Sequence, residues 1–417
     1  MPTALLGFLA LAAAMGIGRF AFTPVLPLMQ EQLGLPLAGG AVLAAANYGG
    51  YLAGALACTL RRPRPVLLIR TGLVAVAVLT TAMALVPGFP GWVVLRFAAG
   101  VASAAVFVGV SSLTVAAGSY AGVGAGIALA GLLVLVVGQQ AEPATAAWLA
   151  LGGLAAVLAA TAWRPTSAAP RARGPQPTSR RAATATSRRL VLCYGALGLG
   201  YILPATFLPA AARALTSDPA VFGWTWPVFG VAAAASTLAA GPLVRRQGPL
   251  RVWAGAQAVM AAGVLAPVVW AGLPAVAVSA VTVGGTFMVA TLAAMQAAHE
   301  RTPGASRLVA AMTAAFAVGQ LAGPLLVRSD DLTVPSALAA AVLLAGTGAL
   351  CSHPARKDTR RADPTPRPDA PTAVRDDEPR PAGSRRGADR RPARGGARAV
   401  HPPDAQPRAA DPGAEAR

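Results

Sequence analysis

Residues 16–27 read GIGRFAFTPVLP and residues 198–209 read GLGYILPATFLP. In ungapped register Gly16 pairs with Gly198, Gly18 with Gly200, Leu26 with Leu208 and Pro27 with Pro209, while Arg19 falls opposite Tyr201. Both stretches lie inside long apolar runs. The first asks what a lone arginine and two prolines, Pro24 and Pro27, do in such surroundings, and the answer depends on the solvent around the segment.

Composition points to lipid. The 417 residues are 55% hydrophobic and 12% charged, the latter about half the usual share of a soluble domain. Apolar runs of about twenty residues recur along the chain, each long enough to cross a hydrocarbon layer as a helix. Breaks of Gly, Pro and charge divide them into twelve predicted spans: 4–29, 39–60, 65–86, 92–116, 119–140, 144–163, 190–213, 221–243, 250–271, 274–298, 306–327 and 334–351. No small-residue cleavage site follows the first run, so it reads as a retained span. The longest internal break, 164–189, splits the spans six and six. The expected organisation is therefore an all-α integral membrane protein with an N-terminal half (1–163), a basic linker (164–189), a C-terminal half (190–351) and an Arg/Pro-rich tail (352–417). The tail has almost no large apolar residues, so burial cannot offset the entropy of ordering it.

The net charge of +19 comes from arginine, with Lys357 the only lysine. Alternate loops hold Arg61, Arg62 and Arg64; Arg164, Arg171, Arg173, Arg180, Arg181, Arg188 and Arg189; Arg245, Arg246 and Arg251; then Arg301 and Arg307. The other loops hold Arg213 and Arg328 beside Glu31, Glu142, Asp218, Asp330 and Asp331. The positive-inside rule places the arginine-rich set, the linker and both termini in the cytoplasm, with the spans in the cytoplasmic membrane. Basic segments there attract anionic lipid. Nucleic acid is not an expected partner, because Asp376, Asp377 and Glu378 interrupt the basic tail and it has no aromatic residues for base stacking. Cys58, Cys193 and Cys351 sit near different span ends with no CxxC or metal-ligand spacing, so neither metal nor cofactor is expected. The expected partners are membrane lipid and a small-molecule substrate, handled by a monomer.

Parallel six-helix repeats are the plan of one large class of secondary transporters. The turn at 241–251, GPLVRRQGPLR, resembles the cytoplasmic signature of the major facilitator superfamily, with Arg245 where that pattern usually has an aspartate. The turn at 54–64, GALACTLRRPR, keeps the glycine and the basic cluster. LRFAAGVASA at 95–104 is similar to the superfamily's fourth-helix pattern. Gly122, Gly124 and Gly126, and GQLAGP at 319–324, look like its small-residue packing motifs. The opening segment, ANYGGYLAGAL at 46–56, and YILPATFLPA followed by FGWTWPVFG look more specifically like the YbfB/YjiJ subgroup.

The resemblance implies two pseudo-symmetric six-helix halves and a central cavity lined by the first helix of each three-helix unit. Arg19 and Arg96 then fall on cavity helices. A buried charge there is costly unless it meets water, a partner or substrate. At about 1.5 Å per residue, Arg19 lies past the middle of its span. Arg96 lies so near the end of its own that it is free to snorkel outward. Three readings of Arg19 stand open. It binds an anionic group of the cargo; it bonds carbonyls freed where Pro24 and Pro27 break the helix; or it tunes proton coupling. The last is weakened because no Asp or Glu lies within a predicted span.

Neutral candidates for hydrogen bonds to cargo are Asn47, Tyr48, Tyr51, Tyr194, Tyr201, Thr282, Thr286 and Gln296, each equally readable as an interhelical contact. Candidate hinge and gating positions are Pro24, Pro27, Pro204 and Pro209, the turn residues Gly241, Arg245, Arg246 and Gly248, and Gly323 with Pro324. The functional expectation is gradient-driven transport of a small solute, with efflux of a neutral or anionic compound favoured; no phosphate-binding loop is present. An enzyme would need paired His, Asp, Glu or Cys within spans, which are absent. The alternative is a transporter-like sensor or scaffold acting through its basic tail.

Overall fold

The structure, a computed structural model, describes residues 2–61, 64–163, 180–216, 223–270, 272–301, 305–325 and 333–352. The tail and most of the basic linker lie outside the described residues. Among those described, the elements are helices: α1 (Thr3–Leu11), a π-helical segment (Ala12–Ile17), α2 (Phe22–Leu33), α3 (Leu37–Arg61), α4 (Pro65–Leu85), α5 (Phe89–Leu113), α6 (Ala117–Val137), α7 (Pro143–Ala162), α8 (Arg180–Leu215), α9 (Thr225–Gln247), α10 (Pro249–Val269), α11 (Leu273–Arg301), α12 (Ser306–Leu325) and α13 (Thr333–Cys351). With α1, the π segment and α2 taken as one interrupted rod, there are twelve rods. Eleven have the length and apolarity to cross a membrane, and α12 is the remaining one.

Two boundaries differ from expectation for local reasons. The seventh rod starts at Arg180, ten residues before the expected 190, because 180–189 is an Ala- and Arg-rich run without glycine or proline and such residues favour helix. The first rod is not one helix over 4–29. Its ladder changes character at Ala12 and re-forms at Phe22.

Large apolar side chains point away from the bundle along its whole periphery. Leu60, Leu85, Val136, Leu192, Val269 and Val334 are each more than two thirds exposed, an arrangement that suits hydrocarbon and not water. Between rods the packing depends on missing side chains. A Cβ on Gly16 would overlap the backbone of Gly126 on α6, and one on Gly198 would overlap the carbonyl of Phe316 on α12. The two repeat glycines therefore seat their rods on equivalent partners, the fifth rod in one half and the eleventh in the other. The second pair diverges, since Gly18 faces Val76 and Ser103 while Gly200 faces Leu343.

Two seams join the halves. Along one, Gly124 and Ala128 of α6 meet Ala234 and Gly230 of α9 at backbone distance. Along the other, α3 lies against α12, with Cys58, Val108 and Ala310 in one small apolar cluster. At the arginine-rich end, Arg70 donates to the Trp163 carbonyl (3.4 Å) and lies 5.1 Å over its ring, tying α4 to the end of α7. The 241–251 turn works locally: Gly248 has φ 81° and donates to the Val244 carbonyl at 2.8 Å. Arg245 and Arg246 lie exposed in the last turn of α9, where cations complement the helix dipole.

Substituting Gly126→Ala should destabilise the purified protein by about 1–3 kcal/mol through overpacking, because the new methyl meets the Ala12 carbonyl. Gly153→Ala, on an open helix face of α7, should be neutral or stabilising by up to about 1 kcal/mol. Thermal unfolding of the two variants side by side checks the contrast.

Candidate functional site

The site begins in the broken ladder of the first rod. The Gly18 amide donates to Ala13 (2.9 Å) and the Phe20 amide to Met15 (3.1 Å), each reaching back five residues. Downstream, Pro24 has no N–H for the Phe20 carbonyl and its ring crowds that oxygen. The Phe20 carbonyl instead takes the Thr23 amide, three residues on, at 3.3 Å. The Arg19 carbonyl thereby loses its regular helical donor. Pro24 thus acts upstream of itself, in the first turn of α2, while Pro27 is carried inside α2.

Arg96, not Arg19, satisfies the freed backbone. Its guanidinium donates to the Gly18 carbonyl (3.3 Å) and the Arg19 carbonyl (3.2 Å) and lies 4.9 Å over the Phe22 ring. The side chain is only 3% exposed, so the expectation that it snorkels outward is corrected. Two carbonyls without helical partners offer it charge-assisted bonds worth about 1.5–3 kcal/mol each. Asn47 on α3 donates to the Arg96 carbonyl at 3.0 Å, fixing the stretch of α5 from which Arg96 projects.

Arg19 leaves the same break in another direction, toward the seam between the halves. Its guanidinium lies 3.8 Å over the Tyr51 ring and 5.3 Å from that of Tyr48, both on α3. Its Nη2 donates to Oε1 of Gln320 on α12, and Gln320 Nε2 donates in turn to the Tyr201 hydroxyl on α8 (3.1 Å). The Nε and Nη1 groups have no hydrogen-bond partner among the described residues, although Arg19 is 2% exposed. The carboxylates among the described residues, Glu31, Glu142 and Glu300, are all exposed, so none of them compensates the buried charge.

Opposite the guanidinium the second half presents stacked rings. Tyr201 packs between Phe287 (5.2 Å, 10°) and Phe316 (5.5 Å, 17°), and Phe316 stacks on Tyr194 (4.9 Å, 26°). Phe20 from the first half meets Tyr201 and Phe287 edge-on. Tyr194 also hydrogen-bonds Thr291 at 3.5 Å. One half therefore supplies a cation lying on tyrosine, and the other an amide and a wall of aromatic faces.

Of the residues expected from sequence, Arg19, Tyr48, Tyr51 and Tyr201 converge here, with Tyr194 one ring further along the stack. Arg96 and Asn47 support the site through backbone. Gln296 lies apart, donating to the Val115 carbonyl at 2.9 Å, a bond between halves at the arginine-rich end. Thr282 faces Gly263 on α10 and bonds the Val278 carbonyl, and Thr286 bonds the Thr282 carbonyl; neither reaches Arg19. The rod α8 stays helical through Pro204 and Pro209. Gly323 seats α12 against Ile202, and Pro324 falls in the last turn of α12. Sequence reading missed Gln320, Phe287 and Phe316. Gln320 stood inside the GQLAGP motif and was the polar signal available there.

Residues 11–354 match the family profile described as "Uncharacterised MFS-type transporter YbfB". Among solved structures the chain is similar to the human organic anion transporter MFSD10 (TETRAN), at 14% identity and a TM-score of 0.61, covering 84% of this chain and 100% of that one. No curated protein matches the chain. At that identity the structural likeness speaks for the fold, and the profile, spanning most of the chain, speaks for descent. The protein is a multi-pass membrane protein whose family points to transport and not to an enzyme, and it belongs to the YbfB-type family of major facilitator superfamily transporters.

Proposed function

We propose that the protein is a secondary transporter of the cytoplasmic membrane that exports a small neutral or anionic organic solute by alternating access around Arg19. The observation that carries this reading is the buried guanidinium at the seam, with two N–H groups unpartnered and no carboxylate beside it among the described residues. Leaving such a group incompletely paired costs several kcal/mol. Cation–π contact with Tyr51 and the bond to Gln320 offset part of that cost, and an acceptor on the cargo would complete it. Arginine suits the task because its planar fork matches an oxyanion bidentately.

The contact set supports alternating access. The halves also meet at the arginine-rich end through Gln296 on Val115 and beside the site through Phe20 on Tyr201 and Phe287. Loosening one set while keeping the other would open the centre to one side. The positive-inside pattern supports a cytoplasmic arginine-rich end. A preference for anions has the same sign as that of the human structural neighbour, an organic anion transporter. Export is favoured because the site offers one cation and aromatic faces instead of an array of polar groups. Membrane lipid and the solute are the partners proposed, with the single chain as the working unit.

In proteoliposomes carrying a solute gradient, Arg19→Ala should lower transport at least about tenfold, equivalent to roughly 1.4 kcal/mol, with membrane insertion unchanged. Wild-type rates in that variant would overturn the cargo-contact role. Arg19→Lys should recover only part of the loss, since a lysine cannot offer the planar fork.

No carboxylate or imidazole lines the site among the described residues. Affinity for a permanently ionised anion should therefore be flat between about pH 6 and 8, the window in which histidine-gated sites change. Equilibrium binding across that range is the check.

A further inference from the structure

We propose that Gln320 is the internal ligand of Arg19 and that, by occupying it, Gln320 restricts the site to anionic cargo. The proposal rests on the transport reading above and narrows its substrate class. Gln320 projects from α12 in the second half, and its Oε1 accepts from Nη2 of Arg19 in the first half. Its Nε2 holds the Tyr201 hydroxyl, and the side chain is fully buried. The carboxamide therefore has one arm on the cation and the other on the aromatic wall. When its oxygen is displaced, the nitrogen keeps the group in place.

The exchange can be weighed bond by bond. A neutral cargo offering a carbonyl or hydroxyl replaces one neutral acceptor by another, gains nothing at Nη2, and gives up its own hydration. A carboxylate or similar oxyanion replaces it with a charge-assisted bond, roughly twice as strong. Its second oxygen reaches a guanidinium N–H, Nε or Nη1, that Gln320 leaves unpartnered. An acid at position 320 would neutralise Arg19 permanently and compete with every anion, whereas a glutamine holds the fork without cancelling its charge. The bond also crosses the seam, so the empty protein keeps its halves tied through the group that cargo displaces.

The test uses the full-length purified protein and apparent thermal stability, with benzoate and benzamide as ionised and neutral probes of one shape. Benzoate should raise the wild-type melting temperature and benzamide should not. Gln320→Ala should respond to benzamide as well as benzoate, because the competitor is gone. Gln320→Glu should melt several degrees above wild type without ligand and gain nothing from benzoate. Arg19→Leu and Gln320→Leu should be non-additive when combined. Gln257→Leu removes another fully buried glutamine, bonded within its own half to the Leu343 carbonyl at 2.9 Å. It should lower stability while leaving the preference for benzoate intact.

The proposal is overturned by a Gln320→Glu variant no more stable than wild type, or by wild type gaining equally from both probes. Wild type indifferent to both at millimolar excess also overturns it. These outcomes are read without transport, so they separate from failure of the transport reading, which would show as wild-type protein moving no solute in any gradient.

Discussion

Two guanidinium groups buried together, with no carboxylate beside them among the described residues, constrain the rest of the bundle. Desolvating an unpaired charge costs several kcal/mol, more than any single packing contact recovers. Arg96 meets the cost with backbone carbonyls, and carbonyls of a regular helix are not available for that purpose. The π segment at Ala12–Ile17 and the missing donor of Pro24 free them. With Nη1 and Nη2 of Arg96 on those carbonyls, Arg19 points to the seam, where the Tyr51 face of its own half and a glutamine from the other half receive it. The helix break, the charge and the contact between halves are one arrangement.

Much of the fold was legible because lipid imposes simple rules. Apolar runs marked the rods, arginine marked alternate loops, and the paired glycines at 16 and 198 marked the first rod of each repeat. Their shared purpose is visible in the structure, where each seats its rod on the equivalent partner. The position of the break was not legible. Proline is a visible cause, but its effect lies upstream of Pro24 and is stabilised by a residue on another rod, far along the chain. Local sequence does not say which carbonyls such a partner will find.

The site was read in part for the same reason. An arginine in an apolar run draws attention by its cost, and the tyrosines near it are polar enough to be noticed. Phe287 and Phe316 carry no such mark among so many apolar residues, and they matter only because three rods bring rings into one stack. Thr282 and Thr286 were plausible by type, yet the helix turns their hydroxyls into their own backbone. Arg96 shows the limit of counting residues from a span end. Depth suggested an exit to water, and a pair of carbonyls offered a better one inward.

The way Arg96 is held has an evolutionary corollary. It recognises main-chain oxygens at 18 and 19, and every amino acid supplies a main-chain oxygen. The side chain at position 19 can therefore change without dismantling the opened turn that presents it. The opened turn is thus held by main-chain recognition, which leaves the identity of the side chain it presents to be set by other constraints.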